Sequence, residues 1–160
     1  MTNPGIAISR LPADFVDWSE LLALINGAFA YMDGVIDPPS SARRLTAGSL
    51  AEKATRETCF VAMEKSRLVG CIFARERDDH LYVGKLAITP SHQKRAVGRA
   101  LLRAAEEQAR ILGKPILELQ TRIELTGNHA AFARLGFREI QRTAHAGYDR
   151  PTTLTMRKYL

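Results

Sequence analysis

Acidic residues are scarce in this chain: 17 Asp and Glu stand against 23 Lys and Arg, a formal net charge of +6. Long apolar runs are missing too. None approaches the ~20 residues that a membrane-crossing helix requires, and Met1-Thr2-Asn3-Pro4-Gly5 is not a basic segment leading into an apolar one. No membrane association and no secretory leader are expected, and the expected location is cytoplasmic. Only two cysteines occur, Cys59 and Cys71, and neither belongs to a C-x-x-C pair. Buried free thiols, no disulfide framework and no metal site are expected from that spacing. Aromatic residues make up 7% of the chain, and no aromatic-rich stacking motif accompanies the basic residues, which argues against nucleic acid as a partner. The phosphate loops of common nucleotide enzymes are also absent: there is no G-x4-G-K-S/T and no G-x-G-x-x-G.

The basic excess is concentrated where acidic residues vanish. From His92 to Arg103 there are four basic residues, Lys94, Arg95, Arg99 and Arg103, and no acidic one. An apolar strand ending at Pro90 precedes this stretch, and a helix opens inside it. The first turn of a helix leaves backbone N–H groups unpaired and carries partial positive charge. Small residues at Ala96, Gly98 and Ala100 let a large anion approach that backbone, while Lys94, Arg95 and Arg99 add charge. The expected ligand is a polyphosphate.

The 160 residues show no repeat, linker or low-complexity tract, and are read as one domain spanning 1–160. A chain of this size buries roughly two-thirds of its unfolded surface. Ile6 to Ser9 is a first strand. Asp14 is placed to cap a helix whose stripe is Trp18, Leu22, Ile25 and Phe29. After the turn-rich Tyr31–Pro39 segment, Ser40 or Ser41 starts further helix, and Ser49-Leu50-Ala51-Glu52 reads as a capping box. Thr58–Glu64 and Leu68–Arg75 form a hairpin, followed by a strand over Leu81–Ile88. The pattern next predicts a helix over Val97–Leu112, with i,i+4 pairs Arg103–Glu107 and Glu106–Arg110, ended by Gly113 and Pro115. A strand over Pro115–Gln120, a helix over Asn128–Leu135 closed by Gly136, and strands over Phe137–Ile140 and Thr152–Tyr159 complete a mixed α/β (α+β) order.

Gln93-Lys94-Arg95-Ala96-Val97-Gly98, set between the Leu86-Ala87-Ile88-Thr89-Pro90 strand end and a helix, resembles the pyrophosphate loop of the GNAT superfamily of acetyl-CoA-dependent N-acyltransferases. That pattern is Gln/Arg-x-x-Gly-x-Gly/Ala; here Ala96 stands at the first glycine. The element order resembles that family over essentially the whole chain. The resemblance implies a mixed, mostly antiparallel sheet of six to seven strands flanked by about four helices. It also implies an acyltransferase that moves an acetyl group from acetyl-CoA, as co-substrate and without a metal, to a primary amine by direct attack. The amine belongs to a small molecule or a peptide, and a homodimer is left open. The alternative is a non-catalytic acyl-CoA-binding sensor of the same fold.

The resemblance distributes roles residue by residue. Gln93, Lys94, Arg95, Ala96, Val97, Gly98, Arg99 and Ala100 would bind the pyrophosphate. Leu86, Ala87 and Ile88 would hold the pantetheine arm and thioester beside a bulge with which Gly84 is compatible. Asn128 and Phe132 would flank the arm, Asn128 being equally suited to a helix N-cap. Phe132 occupies the position of a tyrosine that in many members protonates the leaving thiolate, a task phenylalanine cannot perform. Tyr148 is a candidate substitute. For the base, Glu118 on the neighbouring strand is the acidic candidate, and Tyr82 lies on the donor strand. Tyr31, Asp33 and Asp37 fall where the acceptor wall is expected, so the acceptor would be cationic. The two aspartates are equally suited to capping turns.

Overall fold

The computed structural model describes residues 5–93 and 96–160. Its backbone is one seven-stranded sheet in the order β1-β2-β3-β4-β5-β7-β6. The strands are β1 (Ile6–Arg10), β2 (Thr58–Glu64), β3 (Arg67–Glu76), β4 (Leu81–Ile88), β5 (Ile116–Arg122), β6 (Arg138–Thr143) and β7 (Thr153–Tyr159). All neighbours run antiparallel except β4 and β5. Four helices flank the sheet: α1 (Trp18–Phe29), α2 (Ala47–Arg56), α3 (Val97–Ile111) and α4 (Thr126–Arg134).

The helices divide the apolar core in two. On one face, Leu21, Leu24 and Ile25 of α1 and Leu50 of α2 pack against Val61, Cys71 and Phe73 of the central strands and Ala87 of β4. On the other, Val97, Leu101, Leu102 and Ala105 of α3 pack against Val69, Leu81, Val83 and Leu117, with Leu86, Ile88 and Phe132 at the margin. Alternation along β4 sends successive side chains to opposite faces, so Ala87 joins the first cluster while Leu86 and Ile88 join the second.

Local signals were misplaced by a few residues at several helix starts. Asp14 does not cap α1; Asp17 is at the cap position and makes no side-chain cap bond. The helix rolls so that Leu21, Leu24, Ile25 and Ala28 are buried. For α2 the capping box is Thr46 with Ser49, not Ser49 with Glu52. Thr46 Oγ1 accepts from Ser49 N at 3.0 Å and Ser49 Oγ accepts from Thr46 N at 2.9 Å. In α3 the structure pairs Glu107 with Arg110 and Glu106 with Lys158 of β7, in place of the two i,i+4 pairs expected. Asn128 is not an N-cap, because α4 already begins at Thr126 with Leu125 at the cap position.

Two positions determine the site. Between the pairs Cys71–Ala87 and Phe73–Gly84, β3 advances two residues and β4 three. The extra residue makes a bulge, and Lys85 adopts φ 50° there. The residue in the left-handed region is thus Lys85 and not Gly84, and the Cys71 thiol donates to the Lys85 carbonyl at 3.4 Å. Ala96, ahead of α3, has φ 62° and ψ 13°. Alanine takes up the left-handed turn although it lacks the conformational freedom of glycine, at a cost of about 1 kcal/mol or more. Ala96→Gly should therefore raise the melting temperature by a few degrees at most, and Ala96→Val should lower it, by calorimetry.

Candidate active site

Strands β4 and β5 share only two residue pairs, Leu81–Leu117 and Tyr82–Glu118. Beyond them β5 stays with β7 along its whole length, while β4 follows β3. Parallel neighbours that part in this way leave backbone groups of Val83–Ile88 without a strand partner on the β5 side. A cleft of about 670 Å³ opens in the gap. On the α3–α4 side it is lined by Leu86, Ile88, Gln93, Leu102, Asn128 and Phe132, and on the α1–α2 side by Tyr31, Lys53, Glu57, Tyr82, Lys85 and Arg122.

The expected donor residues distribute as follows. Leu86 and Ile88 line the cleft, whereas Ala87 is buried on the opposite face. Gln93 lines it and donates from Nε2 to the Ile88 carbonyl at 3.2 Å. Lys94 and Arg95 lie outside the described residues. Val97 is buried in the core, so what it offers a ligand is backbone. A Cβ added at Gly98 would meet Ile88 Cδ1 at 3.4 Å, which places the first turn of α3 against the strand that lines the cleft. Arg99 and Ala100 follow on α3 outside the lining. The turn before this loop is anchored by buried His92, whose Nε2 lies 2.8 Å from Glu64 Oε1.

Asn128 and Phe132 both line the cleft. Asn128 Nδ2 donates to the Tyr31 hydroxyl at 3.2 Å, joining α4 to the segment after α1. Phe132 stacks edge-on against Phe137.

The expected catalytic and acceptor residues separate more sharply. Tyr82 lines the cleft, its hydroxyl pKa raised by burial and then by Glu118. Glu118 does not line it: Oε1 accepts from Arg157 Nε at 2.8 Å and Oε2 lies 3.3 Å from His80 Nε2. Both carboxylate oxygens are thus taken up by Arg157 and His80 away from the cleft lining, which corrects the expectation that Glu118 faces a bound amine. Tyr148 is likewise outside the lining, its hydroxyl donating to Asp37 Oδ1 at 2.6 Å, a bond that raises its pKa. Asp37 is taken up by that bond and by Arg150 at 3.0 Å. Asp33 also lies outside the lining. The acidic acceptor wall expected from these two aspartates is not formed.

Three groups that sequence reasoning passed over face the cleft instead. His145, between β6 and β7, lines it three residues from Tyr148. Thr152 Oγ1 holds the ring: it bonds Nδ1, accepts from His145 N at 2.9 Å, and lies 3.5 Å from the Thr143 carbonyl. All three contacts are satisfied together when Nδ1 carries the proton, which leaves the Nε2 lone pair free. Burial, then Arg122, lowers the His145 pKa from the ordinary histidine value and so disfavours the charged ring. Lys85 and Arg122 are the other two. The sequence signal for Lys85 was a charge interrupting an apolar strand; Arg122 and His145 had none that was local.

Both cysteines are buried free thiols. Burial raises the Cys59 pKa to about 12 and that of Cys71 well above its ordinary value. No group of three or more potential metal ligands occurs among the described residues, and none of their helices is long and apolar enough to cross a membrane.

Comparison with known proteins gives the same picture. Several solved structures superpose over nearly the whole chain at low sequence identity, a likeness that shows the fold alone. The PaiA N-acetyltransferase of Thermoplasma acidophilum, solved with coenzyme A, has a TM-score of 0.80 at 17% identity, covering 97% of this chain and 99% of that one. The ribosomal-protein-S18-alanine N-acetyltransferase of Escherichia coli gives 0.73 at 19% identity, with 96% and 93% covered. A GNAT family acetyltransferase of Elizabethkingia anophelis with acetyl-CoA bound gives 0.69 at 15% identity, with 99% and 100% covered. No curated protein matches the chain. Residues 18–137 match the model of the acetyltransferase (GNAT) family. The chain belongs to that family.

Proposed function

We propose that this protein transfers the acetyl group of acetyl-CoA to a primary amine within the β4–β5 cleft. The observation that carries this reading is the parting of the two strands beside the bulge at Lys85. It leaves backbone polar groups of β4 free to hold an extended amide-bearing arm, and the first turn of α3 lies against the same strand at Gly98 and Ile88. Gln93 to Ala100 would take the pyrophosphate, and backbone groups of Leu86 and Ile88 the thioester carbonyl and pantetheine amide.

In this reading the amine nitrogen attacks the thioester carbon, the C–N bond forms and the C–S bond breaks. His145 Nε2 accepts the proton that the amine loses, and the leaving thiolate takes one up to give free CoA thiol. Phe132 cannot supply that proton, and we assign it to Tyr31, whose hydroxyl is tied to α4 through Asn128. Polarisation of the carbonyl by backbone N–H groups stabilises the developing oxyanion.

Phe132 also favours a second reading, a module that binds acyl-CoA without turnover. Release of CoA thiol from acetyl-CoA on adding an amine panel decides between them. Thiol release that depends on the amine is expected; binding of acetyl-CoA with no release under any amine would favour the sensor. The protein's own thiols are buried and firmly protonated, and so should not react with the thiol reagent in the native state.

A further inference from the structure

The charge of the cleft wall is opposite to that expected for a cationic acceptor. Four cationic side chains line it, Lys53, Arg75, Lys85 and Arg122, against one carboxylate, Glu57. That carboxylate is already committed to Lys53 at 2.8 Å. Lys85 and Arg122 have no carboxylate within ion-pair distance among the described residues.

These two come from the strands on either side of the gap and converge on one segment. Lys85 Nζ donates to Ser41 Oγ at 3.0 Å. Arg122 donates to the carbonyls of Pro38 at 2.6 Å and Pro39 at 3.1 Å. All the partners lie within Pro38–Ser41, the stretch leading to α2 on the α1–α2 side of the sheet. The pyrophosphate loop is on the other side, next to Ile88 and Gln93, so the CoA phosphates do not account for this pair.

Two half-buried cations held together without a counter-ion lose hydration and repel one another, and an anion placed between them removes both costs. Glu124 and Asp37 act on Arg122 only from beyond ion-pair distance. Asp37 is bound to Arg150 and Tyr148, and Glu124 Oε2 accepts from Asp37 N at 3.2 Å.

We infer that Lys85 and Arg122 form the specificity site for an anionic group on the acceptor, which is a primary amine bearing a carboxylate or a phosphonate. The inference rests on the acetyl-transfer reading above. The electrostatics around Lys85 agree with it: after burial, Lys53, Arg44 and Arg122 all depress its pKa, and Glu57 alone among its charged neighbours opposes them. Arg122 in turn lies close enough to His145 to depress the histidine. Arg122 and His145 line the same cleft, so anion and amine would belong to one acceptor molecule.

The test is thiol release from acetyl-CoA with matched acceptor pairs: amino acids against their carboxamides, and aminoalkylphosphonates against alkylamines of equal length. The anionic member of each pair should have a kcat/KM higher by about tenfold or more, the scale of a charge-assisted contact. The carboxylate and phosphonate arms decide which anion is preferred. Lys85→Met and Arg122→Met should each remove most of that advantage through KM, while the melting shift given by acetyl-CoA persists. Should Lys85→Met fold poorly because of the bulge, Arg122→Met and the wild-type panel carry the test. Thiol release indifferent to acceptor charge, or favouring neutral amines or polyamines, overturns this inference and leaves acetyl transfer standing. No thiol release with any amine overturns the transferase reading, and the inference falls with it.

Discussion

Gly98→Leu is expected to abolish the rise in melting temperature that acetyl-CoA gives the native protein. A ligand at a hundred times its Kd stabilises by about 2.7 kcal/mol, which for a chain of this size is roughly 5–10 °C. Gly98 is the second residue of α3, where backbone N–H groups are unpaired and the helix dipole is positive. A Cβ there already touches Ile88 Cδ1 at 3.4 Å, an ordinary contact. A leucine must direct its further carbons either into Ile88 or into the space over the helix start, which is the space a pyrophosphate needs. Gly98→Ala, which adds only the tolerated carbon, should retain part of the shift. The unliganded melting temperature separates loss of binding from loss of fold, since among the described residues the added carbon meets Ile88 across an ordinary contact distance. A full acetyl-CoA shift in Gly98→Leu would remove the phosphates from this end of α3.

The second large effect is at His145. His145→Gln should lower kcat by about a hundredfold or more, the range that a positioned base contributes, with a smaller change in KM for acetyl-CoA. The pH profile gives the sharper test. Burial and Arg122 disfavour the charged imidazolium, so its pKa falls below 6.5. The base is active when neutral; wild-type kcat/KM should therefore rise on a limb centred below pH 6.5 and stay level through neutrality. In His145→Gln that limb should vanish. Thr152→Val should lower kcat and shift the limb, because Thr152 Oγ1 fixes which ring nitrogen carries the proton. An unchanged profile in His145→Gln would give the proton to water or to another group.

Much of the donor half was legible because it is written in contiguous residues. The strand Leu81–Ile88 and the start of α3 at Val97 fall where hydrophobic period and small residues put them. Helix starts were less legible. Thr46, Ser49 and Glu52 offer overlapping capping patterns, and only tertiary packing chose the earlier one. The acceptor half was not legible in the chain order. Asp37 looked available until Arg150 and Tyr148, more than a hundred positions away, were folded against it. Glu118 looked available as a base until Arg157 and His80 supplied its partners. His145 gains its role from Thr152, and Arg122 from the carbonyls of Pro38 and Pro39. Long-range pairing decided each of these, and a single sequence does not display it.

The short seam between β4 and β5 has a consequence for cooperativity. Among the described residues, the two pairs at Leu81–Leu117 and Tyr82–Glu118 are the only ladder joining the β1–β4 meander to the β5-β7-β6 part of the sheet. Without a ligand, the two parts are joined by that short ladder and by the apolar cluster that α3 shares with both, through Val69, Leu81, Val83 and Leu117. A co-substrate in the gap, as proposed, would touch both, its arm acting as a missing strand between them. Binding would then do more than add stability. It would add hydrogen-bonded contact where the ladder is shortest, at the moment when the acyl group has to be held still.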